Sequence, residues 1–311
     1  MQATKPAPKF LELIRPGTNF DFIRFRFYAL GISWVLIAIG MASFIYHGGP
    51  NYGIDFSGGV MVHLRFTKPQ PINDIRAALS TVKLGESTIQ DFGSTSTEFL
   101  VRLPVEASET RGISDTLTQA LGEKFGKDGF EVLRVELVGP RVGQELRQRA
   151  VLAVVFATLL MGAYIWLRFE FRFGAGAAIA LVHDVLIAAG ALSLMNYEID
   201  LTVVAALLTV VGFSVHDTVI VCDRIRENMR KSRRETMGQI INRSINETLS
   251  RTVLTTGTAI LVVLSLFILG GNVIRGFAFT LLVGFIIGTY SSIYIASPIV
   301  LWLERSGRRG R

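Results

Sequence analysis

Apolar residues gather along this chain into runs long enough to cross a bilayer, interrupted by one long stretch with a different rhythm. A membrane-spanning helix needs about 20 largely apolar residues. Such runs lie near Phe27–Tyr46, Val151–Leu167, Gly174–Met195, Leu201–Cys222, Thr252–Leu269 and Phe277–Trp302, and they predict six transmembrane helices. Between the first and second runs, residues 47–148 are polar enough to form a small water-facing domain. Alternation predicts a strand at Val60–Phe66, and helical spacing predicts a helix at Ile72–Val82. Strands at Thr88–Phe92 and Glu98–Leu103, a helix at Glu109–Phe125 and a strand at Phe130–Val138 follow. That βαββαβ order suits a ferredoxin-like layer of sheet and helices.

Composition supports the membrane reading. Of 311 residues, 50% are hydrophobic and only 18% are charged, whereas soluble domains carry about 25% charged residues; the mean hydropathy is +0.43. One cysteine, Cys222, excludes an internal disulfide framework and leaves no cysteine cluster for a metal. No Walker A, His-Glu-x-x-His or Gly-x-Ser-x-Gly sequence occurs, so an enzyme is not expected, and neither is a cofactor or a metal. Without an ATP site, the available energy source is an ion gradient, worth about 2.3 kcal/mol per charge per 100 mV.

Charge then orients the helices. The net charge is +7, and the basic residues concentrate in segments that share one side of the six-helix pattern: residues 1–26 (Lys5, Lys9, Arg15, Arg24, Arg26), 223–251 (among them Arg224, Arg226, Arg230, Lys231, Arg233, Arg234 and Arg243) and the tail 304–311. The opposite turns, Asn196–Asp200 and Gly270–Gly276, hold a single base, Arg275. The positive-inside rule therefore places both termini in the cytoplasm and residues 47–148 outside it. The first apolar run exceeds the ~7–15 residues of a signal peptide core and no Ala-x-Ala site follows, so a retained helix at 27–46 is expected. A bundle of five further helices within 149–303 completes the plan. Such basic loops meet anionic lipid rather than nucleic acid.

Ionisable residues inside the apolar runs cost at least about 2.5–3.5 kcal/mol each at a helix centre, which singles them out. His183 and Asp184, candidates for proton coupling together with the groups that follow, lie about ten residues into the third run, roughly 15 Å deep. His216 and Asp217 lie in the cytoplasmic third of the fourth, and Arg251 stands at the entrance of the fifth. Thr202, Thr209 and His216 recur at seven-residue spacing, and Arg251, Thr255, Thr258 and Ser265 share a face of the next helix. If these stripes face one another, their hydroxyls make a polar pathway reaching Asp217 and Arg251. A carboxylate whose proton affinity is set by burial and a movable arginine takes up and releases a proton; a static ion pair is the alternative. Gly284 and Gly288 form a small-xxx-small seam for helix packing.

Four segments resemble one family. Gly53-Ile-Asp55-Phe56-Ser-Gly58-Gly59 is similar to the Gly-x-Asp-Phe-x-Gly-Gly signature of the SecD/SecF family. Ala180–Asp184, Val215–Asn228 and Leu249–Gly257 (followed by Leu269-Gly-Gly271) resemble the SecF branch of that family, in the same order, across about residues 20–305. The resemblance implies a polytopic α-helical protein with six transmembrane helices in an RND-like half-repeat and one ferredoxin-like α+β periplasmic domain. It implies the bacterial inner membrane, an obligate SecD partner, the SecYEG channel, and a translocating preprotein whose late movement is assisted by the proton-motive force. Asp217 then carries the proton and Arg251 is its charged partner. Gly53, Asp55, Phe56, Gly58 and Gly59 carry over as a tight turn coupling the first helix to the domain. In SecF sequences an Asn often precedes the key Asp; His216 stands there in this chain, and because histidine as a residue type can exchange protons near neutral pH, two candidates remain for the first proton acceptor. Half of an RND-type proton-coupled small-molecule exporter is the competing reading, and it too requires a partner chain.

Overall fold

The computed structural model describes residues 18–82, 84, 87–91, 96–103, 112–126, 128–232, 234–271 and 273–309, with the backbone alone for 113, 114 and 305–309. The N-terminal bases Lys5, Lys9 and Arg15, the loop base Arg233, the strand end expected at Phe92 and the helix start expected at Glu109 lie outside the described residues.

A first helix, α1 (Arg26–Tyr46), is followed by one short turn of helix, α2 (Ile54–Ser57), and then by β1 (Gly59–Phe66), α3 (Ile72–Ser80), β2 (Thr88–Asp91), β3 (Glu98–Leu103), α4 (Ile113–Phe125) and β4 (Phe130–Val138). The strands pair antiparallel in the order β2-β3-β1-β4. Alternate residues face the two helices: Val60, Val62, Leu64 and Phe66 of β1 and Phe99, Val101 and Leu103 of β3 are buried against Ile75, Leu79, Leu117 and Leu121. Each such side chain contributes about 1.5–3 kcal/mol on burial. The other face carries Met61, His63, Arg65, Glu98 and Arg102. There Glu98 accepts from Arg65 at 2.9 Å and lies 3.2 Å from His63, and the Arg65 hydrogen bond holds its carboxyl below the usual range, with His63 adding to the effect.

The chain then enters a helical bundle: α5 (Pro140–Arg168), α6 (Phe171–Leu194), α7 (Leu201–Lys231), α8 (Met237–Leu269), α9 (Arg275–Ser291), a π-helical turn at Ser292–Ala296, and α10 (Ser297–Arg309). With α1, and with the last three segments forming one rod, six helices are long and apolar enough to cross a membrane. Pro298 explains the π turn: it has no N–H for the carbonyl one turn back and its ring crowds that carbonyl, so the helix widens locally, and Ser297 Oγ caps the carbonyl of Ser292 at 2.9 Å.

Several helices outrun the hydropathy. The expected loop at 223–251 is mostly helix, because α7 continues to Lys231 and α8 begins at Met237. Polar residues carry these extensions: Arg224 and Lys231 both pair with Glu227, and Thr236 with Gln239 forms a reciprocal cap on α8. Similarly, α5 begins at Pro140, well before its apolar run, since Pro at the first helical position is preset for a helix start.

Candidate functional site

The Gly53–Gly59 segment joins three parts of the molecule. Gly53 N–H donates to the Ile199 carbonyl at 2.9 Å, Ile199 N–H donates to the Asn51 carbonyl at 2.7 Å, and Leu201 N–H donates to Asp55 Oδ2 at 3.0 Å. Asp55 thus helps cap the start of α7, beside Asp200, which accepts from Val203 N–H at 2.8 Å. Phe56 is buried. Gly58 has φ +74°, and a Cβ there would sit 2.7 Å from Pro140 Cα, so only glycine lets the segment lie on the start of α5. The turn lies between α1 and β1 in the chain and contacts the starts of α5 and α7. On the far side of the sheet, Arg102 pairs with Glu198, and Gln90 donates to Glu198 at 2.9 Å. A cleft of about 510 Å³ lies beside this contact, between the open sheet face and the helix turns, lined in part by His63, Tyr197 and Arg275.

Asp184 and Asp217 are both buried in the bundle. Ser214 of α7 and Ser291 of α9 (2.8 Å) donate to Asp184 Oδ2, and His183 Nδ1 lies 2.9 Å from Oδ1. His183 Nε2 meets Ser33 Oγ at 3.0 Å, Ser33 meets the Tyr290 hydroxyl at 3.1 Å, and that hydroxyl donates to the Ala29 carbonyl at 2.6 Å. The carbonyl can only accept, so the chain runs one way: Tyr290 to Ala29, Ser33 to Tyr290, His183 Nε2–H to Ser33. The remaining Nδ1–Oδ1 contact then needs one hydrogen as well, and the His183–Asp184 pair is net neutral.

Asp217 is held differently. Its Oδ2 accepts from Thr289 of α9 at 3.0 Å and from Thr256 of α8 at 3.3 Å, and the two threonine hydroxyls touch at 2.8 Å. Its Oδ1 is buried and makes no hydrogen bond within the described protein, and the same is true of Thr252 Oγ1, one turn before Thr256. His216 and Arg251 are exposed and contribute electrostatically, but no ion pair joins Arg251 to Asp217 among the described residues.

The pathway residues fall elsewhere. Thr202, Thr209, Thr258 and Ser265 are exposed and Thr255 is half-buried. Thr209, Thr255, Thr258 and Ser265 each donate to a carbonyl of their own helix, and Thr202 to Asp200. Phasing the stripes on His216 and Arg251 put them on the outer faces of α7 and α8; the inner faces carry Ser214, Asp217, Thr252 and Thr256. A phase set on Asp217 itself would have found Ser214 at i−3, and Thr256 sits beside Thr255. Thr289 and Tyr290 had no such signal. Gly284 and Gly288 lie against Val210 and Ser214 of α7; a Cβ on Gly284 would come within 2.0 Å of Val210 Cγ2. Among the described residues, no three His, Cys, Asp or Glu gather as a metal would require.

Six apolar helices around buried, hydroxyl-lined carboxylates, with a four-stranded antiparallel domain between the first two, define a polytopic helical membrane protein. Residues 118–306 match the family described as protein export membrane protein SecD/SecF, C-terminal, and residues 44–70 match the SecD/SecF GG motif. The chain belongs to the SecD/SecF family. It is 49% identical over 291 residues to the protein translocase subunit SecF of Desulfurispirillum indicum, covering 91% of this chain and 92% of that one. It is 43% identical to the same subunit of Escherichia coli O157:H7, covering 91% and 88%. The crystal structure of SecDF from Thermus thermophilus, a translocon-associated membrane protein, superposes with a TM-score of 0.83 at 37% identity, covering 96% of this chain. This chain spans only 40% of that SecDF chain.

Proposed function

We propose that this chain is the SecF-type subunit of a SecDF complex, and that it uses the proton-motive force to assist preproteins through SecYEG across the bacterial inner membrane. Its part in protein translocation is that of a non-catalytic subunit with a SecD partner, in keeping with its SecF relatives and with the SecDF chain of which it spans 40%. The bundle is read as an RND-like half-repeat and the βαββαβ domain, with its 2-3-1-4 strand order, as ferredoxin-like. By the positive-inside argument the domain is periplasmic and both termini are cytoplasmic.

Asp217 is the proton carrier. The observation that carries this is its half-filled shell: one oxygen is clasped by two hydroxyls and the other is buried with no partner. Buried polar atoms are nearly always satisfied, so an orphan carboxylate oxygen is where an additional proton binds. Arg251 and His216, exposed beside it, set the electrostatics of uptake, while His183 and Asp184 hold helices together as a neutral pair. The test is preprotein translocation into energised membrane vesicles at matched protein levels. Asp217→Asn is expected to match the wild type with its gradient collapsed. Retention of gradient-dependent stimulation would move the carrier elsewhere.

A further inference from the structure

Resting on that reading, the bare oxygen of Asp217 has a counterpart on the next helix. Among the described residues, two buried side-chain atoms in the membrane-crossing part of the bundle have no hydrogen-bond partner: Asp217 Oδ1 on α7 and Thr252 Oγ1 on α8. Both residues are enclosed, at 1% and 2% exposure. Thr252 is the exception on its own face. Ser244, Thr248, Thr252 and Thr256 recur every four residues along the buried side of α8. Ser244 donates to the Ile240 carbonyl at 2.7 Å and Thr248 to the Ser244 carbonyl at 3.0 Å, the common way to satisfy a hydroxyl within a helix. Thr256 meets Asp217 and Thr289. Thr252 does neither. The two orphans are complementary, since a carboxylate oxygen accepts and a hydroxyl has a hydrogen to give, yet they do not bond each other directly. Thr252 lies one turn, about 6 Å, along α8 from Thr256, whose hydroxyl is 3.3 Å from the carboxylate. One water with O–H···O contacts of about 2.7–2.8 Å on each side spans up to about 5.5 Å, the scale of that turn.

We infer that Thr252 holds a water against Asp217 Oδ1, and that the proton on Oδ1 leaves through that water. Buried waters sit where they satisfy two or more such polar groups, and this one serves both protonation states. With Asp217 ionised, Thr252 donates to the water and the water donates to Oδ1. With Oδ1 protonated, its O–H donates to the water, the water turns a hydrogen to Thr252 Oγ1, and the threonine hydrogen turns to a carbonyl of its own helix. In release, the Oδ1–H bond breaks as a new O–H bond forms on the water, which passes another of its hydrogens to the next water towards the cytoplasm. By the proposed topology α8 runs from the cytoplasm outwards, so Thr252 lies on the cytoplasmic side of Thr256, where an inward-driven proton departs. Thr252 is a positioning residue: it fixes the water, and the water takes the proton.

The charged groups acting on Asp217 are His216 on α7 and Arg251 on α8. On α6, Asp184 is occupied by Ser214, Ser291 and His183, and on α9, Tyr290 is occupied by Ala29. The experiment is infrared difference spectroscopy between low and high pH on the full chain reconstituted with its partner subunit, in ordinary and in heavy-oxygen water. The parent is expected to show a water O–H stretching band that shifts with the heavy oxygen. Asp217→Asn and Thr252→Val are expected to remove it, and Thr252→Ser to restore it. Thr248→Val, one turn away on the same buried face but with its hydroxyl already satisfied, is expected to keep it. In energised vesicles Thr252→Val should lose most gradient-driven export at an unchanged melting temperature, while Thr252→Ser and Thr248→Val export like the parent. A parent without the band, a Thr252→Val protein that keeps either the band or full export, or a Thr248→Val protein that loses both would overturn the assignment. The infrared arm is read without export, so the bridge is tested even if Asp217→Asn retains gradient-dependent stimulation and the carrier reading fails.

Discussion

Asp184 and Asp217 are two buried acids on neighbouring helices, and their surroundings could hardly differ more. Both oxygens of Asp184 are filled, by Ser214 and Ser291 on one side and His183 on the other, and the hydrogen-bond chain behind His183 ends at a backbone carbonyl on α1. Asp217 has one filled oxygen and one bare one, and its partners are two hydroxyls that also touch each other. A full shell has one best arrangement and resists change. A partial shell has two arrangements that differ by one hydrogen, which is what a group that alternates between protonation states requires. On the proposed reading, burial alone does not mark the working acid; the completeness of its shell does.

The largest expected effects come from swapping roles between the two acids. Asp217→Asn should remove essentially all gradient-dependent export while the purified protein keeps its melting temperature. Asp184→Ala should do the reverse damage: it strands His183 Nδ1 and the Ser214 hydroxyl, each costing about 1–3 kcal/mol when left unsatisfied, while Ser291 keeps its bond to the Gly288 carbonyl. Loss of folded protein in detergent, read by thermal unfolding, is the expected result. If Asp184→Ala were stable and inactive, and Asp217→Asn unstable, the comparison would be inverted.

Next in size are changes at the Gly53–Gly59 turn. Gly58→Ala places a Cβ 2.7 Å from Pro140 Cα at a φ that disfavours side chains, a strain of about 1–3 kcal/mol. It should lower export by weakening the seat of the domain on α5, with Asp217 chemistry intact. Restored export in Gly58→Ala at lower temperature, and none in Asp217→Asn, would separate seating from proton handling. Smaller still are the single hydroxyls of the full shell: Ser291→Ala should cost about 0.6 kcal/mol, the usual worth of one hydrogen bond between membrane helices, and leave export nearly unchanged.

How much of this was legible in the sequence follows from which forces leave a trace in it. Long apolar runs report burial in lipid directly, so the six helices could be read, and alternation in β1 and β3 reported the covered face of the sheet. The polar ends of α5, α7 and α8 carry no apolar signal, and only caps such as Thr236 and Gln239 and the proline at 140 speak for them. Asp217 and Asp184 stood out because charge in lipid is costly. Their partners did not: threonine and serine are common in membrane helices, and the stripe phased on Arg251 selected Thr255 and Thr258 where the fold uses Thr256. Thr289 comes from a helix 72 residues away from Asp217, and no local spacing encodes that meeting.

The smallest effect expected belongs to a third acid, which serves as the water-facing control for the other two. Glu98 sits on the open face of the sheet, bonded to Arg65 and beside His63, and the Arg65 bond lowers its carboxyl affinity for protons relative to the unfolded chain. A lowered folded value means that stability is fully present above the unfolded value, about 4.3 for glutamate, and drains away as pH falls through the folded value. Exposed ion pairs contribute about 0.2–1 kcal/mol. Residues 50–140 are expected to fold as an isolated domain, and its denaturation midpoint should fall slightly between pH 5 and pH 3. Glu98→Gln should remove that part of the slope. Added salt should shrink the wild-type difference further, since exposed pairs are screened, while leaving the difference in export between wild type and Asp217→Asn unchanged. A salt-sensitive response at Asp217 would mean that its shell is open to solvent like that of Glu98, and the contrast between a partial shell and a solvated one would collapse.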